Sequence, residues 1–305
     1  MFNCTFDLFN ILLFSESCHC IIIAGGRQWN DALVSGVEVV YGNLKTKQLP
    51  NIAKGIYGSS LVLHNGAILL SGGKDNFQKC LQLDHGNWKE HTTLLKERIL
   101  HSVVATETAT FIFGGSPSCE TYEYLPNGSI KWVLGTTEIP GGFWSGCAIE
   151  VKSKRQVWLI GGYGFRKRIL CFNVKDHRFE IMPSLLNVER FAHRCAYIPN
   201  TSKVMITGGT HYDGCLASTE ILDTKDGSIT MASPMNSKRS KHGMGVLTIN
   251  GEERLAVFGG YDGRKYLDSV EIYNRRTEKW ETTEIKLNKL KSDFGFLSVN
   301  LGQVL

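Results

Sequence analysis

Residues 255–263 read LAVFGGYDG. An apolar run stops on Gly259 and Gly260, the residue type least suited to a strand interior. The chain contains six such stretches, ending on Gly25–Gly26, Gly72–Gly73, Gly114–Gly115, Gly161–Gly162, Gly208–Gly209 and Gly259–Gly260. Successive pairs are 47, 42, 47, 47 and 51 residues apart, and the runs before them are IIIA, AILLS, TFIF, VWLI, VMIT and LAVF. Short runs that are apolar throughout suit strands covered on both faces.

Other columns repeat with the glycines. A strand such as GVEVV (36–40), ETYEY (120–124), STEIL (218–222) or SVEIY (269–273) follows each pair, and the next strand carries an aromatic or apolar residue: Trp88, Trp132 and Trp280, with Phe179, Ile229 and Leu49 in the other units. Turn signals such as LPNGS and TKDGS lie between the two. A fourth strand comes after a connection: GSSLVL, HSVVAT, SGCAIE, HRCAYI, HGMGVL and FGFLSV. No unit contains a long amphipathic helix. Four short strands in a unit of this length, repeated six times, predict an all-β, six-bladed propeller of four-stranded antiparallel blades. Glycine is needed where one backbone approaches another closely at positive φ. A β-branched residue at Gly259 or Gly260 is therefore expected to destabilise its blade strongly.

The glycine pair, the Glu-containing strand after it and the later Trp resemble kelch repeats, over about residues 21–301. The tyrosine of that pattern is clear at Tyr41, at Tyr122 or Tyr124, and at Tyr273, and the Trp is absent from blades one, four and five. The resemblance implies a protein-binding propeller, similar to the substrate-receptor half of the BTB-kelch adaptors that deliver proteins to cullin-RING ubiquitin ligases. No stretch here reads as a BTB or BACK region, so a fragment of a longer protein and a free-standing propeller both stay open. Copper-radical oxidases are similar to kelch propellers in fold, but no tyrosine–histidine–cysteine set can be assigned.

Seven segments compete for six inner-strand positions. FGFLSV follows KSDFG, which matches RSKHG (239–243), whereas FNILLF (9–14) has no such preface. The C-terminal strand is therefore expected to close the ring in blade one, beside IIIA, which removes an open edge. That divides the chain into a poorly ordered tail, 1–19, and a propeller, 20–305; the alternative makes 9–14 the inner strand.

Composition is globular, at 42% hydrophobic and 21% charged, with 32 glycines, 7 prolines and a net charge of +5. The apolar N-terminal stretch lacks a basic n-region and carries Asp7, unlike a signal peptide. Nine cysteines occur without a C-x-x-C pair, and several sit in apolar runs. Reduced core cysteines in a cytoplasmic protein are the simplest expectation.

Few motifs carry chemistry. There is no phosphate loop, no H-E-x-x-H and no G-x-S-x-G; GGYGFRKR approaches a dinucleotide fingerprint but follows a propeller strand. His101, His193 and His242 share a column with Tyr57, Ser145 and Phe294, which the reading places at the channel mouth rather than around a metal. Three residues upstream stand Lys54, Arg98, Gly142, Arg190, Arg239 and Lys291, a column basic at five of six positions. Blades are related by rotation, so one column becomes one ring, and a ring of cations focuses positive potential. The expectation is a peptide-binding mouth built from Lys54, Tyr57, Arg98, His101, Arg190, His193, Arg239, His242, Lys291 and Phe294. It would capture an acidic or phosphorylated segment, with no cofactor and no metal. The rivals are an actin-binding or scaffold protein, and an enzyme acting on sugars or small molecules in the channel. A basic region this small argues against nucleic acid.

Overall fold

A computed structural model describes residues 18–300 except 43, 44 and 85. Six four-stranded antiparallel sheets circle a central channel. Blade six shows the plan, with strands Gly243–Ile249, Glu252–Phe258, Ser269–Asn274 and Lys279–Lys286 running from channel to rim. Blade one is assembled from both ends of the propeller. Gly295–Asn300 is its innermost strand and pairs with His19–Ala24, from Ala24↔Gly295 to His19↔Asn300. The strand that contains IIIA runs His19–Ala24. FNILLF and the rest of the expected tail, through residue 17, lie outside the described residues.

The described residues contain helix only as two three-residue 3-10 turns, Trp29–Asp31 and Lys152–Lys154. No helix among them is long and apolar enough to cross a membrane. The core is divided among the six seams between blades. Cys20, Ile22 and Val39 of blade one meet Leu61, Ile68 and Leu70 of blade two, and equivalent clusters fill the other five seams. Trp132 and Trp280 are buried near the rim, where the wedge between blades is widest, while half-buried Trp88 donates from Nε1 to the Pro50 carbonyl of blade one, 3.0 Å away.

The glycine pairs stand where the second strand of each blade meets the connection into the next. Gly259 and Gly260 have φ of 60° and 97°, in the left-handed region. The Gly260 N–H donates to the Lys291 carbonyl at 2.9 Å, and a Cβ there would lie 2.7 Å from the Ser240 carbonyl oxygen. The same donation recurs in every blade, to Ile56, Arg98, Phe143, Arg190 and Arg239.

Two residues beyond those acceptors the six connections meet. The N–H groups of Leu100, Ser145, Ala192, Lys241, Asp293 and Gly58 donate in turn to the carbonyls of Gly58, Leu100, Ser145, Ala192, Lys241 and Asp293, at 2.5–3.1 Å. This closed circle of six hydrogen bonds ties all blades together at one end of the channel. All six residues take positive φ, five of them without being glycine. Such a conformation costs of the order of 1–2 kcal/mol per residue and persists only where its surroundings enforce it.

The expectation of uniformly reduced cysteines is corrected at one place. Cys147 and Cys195 form a disulfide between the innermost strands of blades four and five. Their column reads across the channel wall, so side chains from neighbouring inner strands meet there. Cys20, Cys80 and Cys171 are free and buried, and burial pushes their thiols up to about 12, 12 and 11.

Candidate functional site: the channel face

The backbone donations set the true register of the connections. The column occupied by Arg98, Arg190, Arg239 and Lys291 is completed by Ile56 and Phe143, not by Lys54 and Gly142. It is therefore basic at four positions and apolar at two.

The four cations are not available at a mouth. Arg98, Arg190 and Arg239 are fully buried and Lys291 is 2% exposed. Each pairs with the glutamate of the third strand of the blade it leads into. Arg98 Nε lies 2.9 Å from Glu123, Arg190 Nη2 2.7 Å from Glu220, Arg239 Nη2 2.7 Å from Glu271, and Lys291 Nζ 2.6 Å from Glu38. The carboxylates also accept backbone N–H groups from the connection, as Glu271 does from Asn236 at 2.6 Å and Ser237 at 3.0 Å. The arginines donate from Nη1 to the carbonyl of the first glycine of a pair: Gly114, Gly208 and Gly259. Each arginine thus joins a connection, a glycine turn and a strand. Burial lowers the pKa of all four cations, and the paired carboxylate works against that. The expectation that they form an open ring for acidic groups is corrected: they are buried inside the blades, each against a glutamate and away from water.

The two remaining blades show that this is one unit with two versions. The glutamate position reads Leu81 in blade two and Leu170 in blade four, opposite the residue two before the glycine pair. There the connection supplies Ile56 and Phe143, which pack with those leucines in the seam cores. A cation occurs where a glutamate faces it, and an apolar residue where a leucine does. The glutamate column was visible in the sequence. The signal passed over was that acid and base come and go together from blade to blade.

The aromatic and histidine column behaves the same way. Ser59 and Gly146 occupy it in place of Tyr57 and Ser145, one residue after the circle of hydrogen bonds. His101 Nε2 meets the Ser71 hydroxyl at 2.9 Å, and His242 Nε2 meets Thr207 at 2.8 Å. His193 faces the seam where Ile160 replaces that hydroxyl, and Phe294 stacks on Phe258 at 5.9 Å. All four are buried. The three histidines occupy three different seams and converge on no common point, and among the described residues no group of three or more metal-ligating side chains forms. Burial holds His101 down at about 3 and His193 and His242 well below the usual imidazole range, with Arg98, Arg190 and Arg194 adding to it. Of the ten expected peptide-binding residues only Lys54 and half-buried Tyr57 reach the surface, and Arg27 lies over the Tyr57 ring at 5.2 Å.

Other side chains do face solvent on this side. A groove between blades six and one is lined by Trp29, Tyr266 and Leu290 together with Lys238, Arg264 and Lys265. Trp29 is 65% exposed. Lys286 in the same groove is paired with Asp268 at 3.6 Å, and Asp262 is occupied by the backbone N–H groups of Arg264 and Lys265. Lys238, Arg264 and Lys265 have no ion pair among the described residues. Over blades four and five, Trp144 stacks on Tyr163 at 4.6 Å and Phe191 meets Tyr163 edge-on.

Comparison with known proteins agrees with this architecture. Residues 242–283 match the Kelch motif family model. The chain is 23% identical over 288 residues to human Kelch-like protein 23 and 24% identical over 285 residues to the mouse protein, in both cases over 87% of this chain and 48% of the relative. It therefore spans about half the length of the curated relatives it matches. The chain is thus a six-bladed β-propeller with a Kelch motif at residues 242–283, and it resembles the kelch-like proteins.

Proposed function

We propose that this propeller binds an acidic or phosphorylated segment of a partner protein, seated in the groove between blades six and one. The observation that carries the reading is the set of exposed cations there, Lys238, Arg264 and Lys265, without acidic partners and beside exposed Trp29. An aromatic anchor flanked by cations suits an extended acidic chain, because apolar contact supplies affinity while charge supplies selectivity and fast encounter. The role is non-catalytic. By resemblance to the kelch-like proteins it is that of the substrate-receptor part of a cullin-RING ligase adaptor, in the cytoplasm.

The test is fluorescence anisotropy with a labelled peptide of alternating acidic and aromatic residues. We expect affinity to fall at least tenfold when Lys238, Arg264 and Lys265 are all changed to Glu, and to fall steeply with added salt. Equal affinity of the charge-reversed variant, with its melting temperature preserved, would remove the groove from the reading.

A further inference from the structure

Inside the circle of hydrogen bonds lies a cavity of about 410 Å³, walled by the inner strands of all six blades. Its wall is mainly apolar, with Leu61, Val103, Ile149 and Phe296 among the residues. Arg194 is the exception. It starts on the inner strand of blade five and reaches past blade six to lie 5.3 Å over the Phe296 ring of blade one. Arg194 Nη1 donates to the His193 carbonyl at 2.9 Å, but Nε is buried without a partner, and the guanidinium has no ion pair among the described residues. The nearest acid of the cavity, Asp293, is already held by Arg27 at 2.7 Å and Lys241 at 3.4 Å. Burial holds Arg194 down at about 10.

Arg194 is half-buried on the channel wall, so its cation faces the channel space beside apolar surface and is placed to meet an anion. The fully buried cations of the blade connections each have a carboxylate at hand. Arg194 differs in facing a space large enough for a small molecule. From this we infer that the channel is a binding site for a small organic acid with an apolar body. Its carboxylate would lie against the Arg194 guanidinium and its hydrocarbon part against the Phe296 and Leu61 side of the wall. The inference is separate from the groove between blades six and one, which lies outside the channel.

Calorimetric titration of the whole chain with benzoate, and with neutral benzamide of the same shape, tests it. Saturable benzoate binding is expected, with benzamide at least tenfold weaker and benzoate lost in Arg194→Met. Arg194→Lys keeps a charge but not the planar fork, so it should retain weaker benzoate binding. No saturable binding to the parent chain, equal binding of benzamide, or benzoate binding unchanged in Arg194→Met would each overturn the inference. Acidic-peptide binding should be unaffected in Arg194→Met, so the two tests fail independently.

Discussion

Glu271→Ala is expected to destabilise the protein by about 3–5 kcal/mol, because it leaves Arg239 as an uncompensated charge in a fully buried position. Two backbone donors, the N–H groups of Asn236 and Ser237, lose their acceptor in the same step. Arg239→Met alone should cost a comparable amount, since it strands the carboxylate. The double variant Arg239→Met/Glu271→Leu should recover most of the loss. The chain itself supplies the precedent: blade two performs the same junction with Ile56 and Leu81, and blade four with Phe143 and Leu170. Buried ion pairs often contribute no more than a well-packed apolar pair, because desolvation consumes most of the Coulombic gain. Urea unfolding of the four proteins measures the coupling. If the double variant loses as much as the two single changes added together, charge and counter-charge are not acting as a pair. If Glu271→Ala is within about 0.5 kcal/mol of the parent, comparable with an ordinary surface substitution, the clamp has no role in stability.

The same pairing explains what could be read in advance. The repeat was legible because six glycine pairs must each satisfy positive φ and close backbone contact, a demand that substitution cannot disguise. Ring closure was legible because KSDFG matched RSKHG, and the strand it introduces does pair with His19–Ala24. The site was less legible for two physical reasons. Connections vary in length, so counting along the chain put Lys54 and Gly142 where hydrogen bonding puts Ile56 and Phe143. A column of cations also reads alike whether it faces water or a glutamate from another strand. Only the parallel column of Glu38, Glu123, Glu220 and Glu271 separates the two. Arg194 carried no such signal, because its partner ring, Phe296, lies two blades away at the other end of the chain.

The seam histidines lead to a steep acid dependence. His101, His193 and His242 are buried as neutral rings, and their imidazoles titrate far below the ordinary value of 6.5. His101 faces Arg98; His193 faces Arg190 and Arg194, against a single hydrogen bond to the Ile160 backbone that favours its proton; His242 faces Arg194, Arg239, His193 and Arg190, so burial and like charge prevail at all three rings. The unfolded chain takes up protons on these rings below about pH 6.5, whereas the folded chain does not. Their contribution is therefore fully present above that pH and is lost as the pH falls toward the depressed folded values. One withheld proton is equivalent to about 1.4 kcal/mol per pH unit, so three together reach about 4 kcal/mol per unit at the steepest. Urea midpoints at pH 7.5, 6.5, 5.5 and 5.0 should fall slightly across the first interval, by about 1 kcal/mol in stability, and drop sharply across the rest. His242→Gln keeps a side-chain group for Thr207 but cannot titrate, so its slope should be shallower by about one proton. A parent chain whose stability changes by less than one proton's worth between pH 6.5 and 5.0 would falsify the neutral-seam reading. So would a slope that His242→Gln leaves unaltered, since the proton uptake would then come from groups elsewhere.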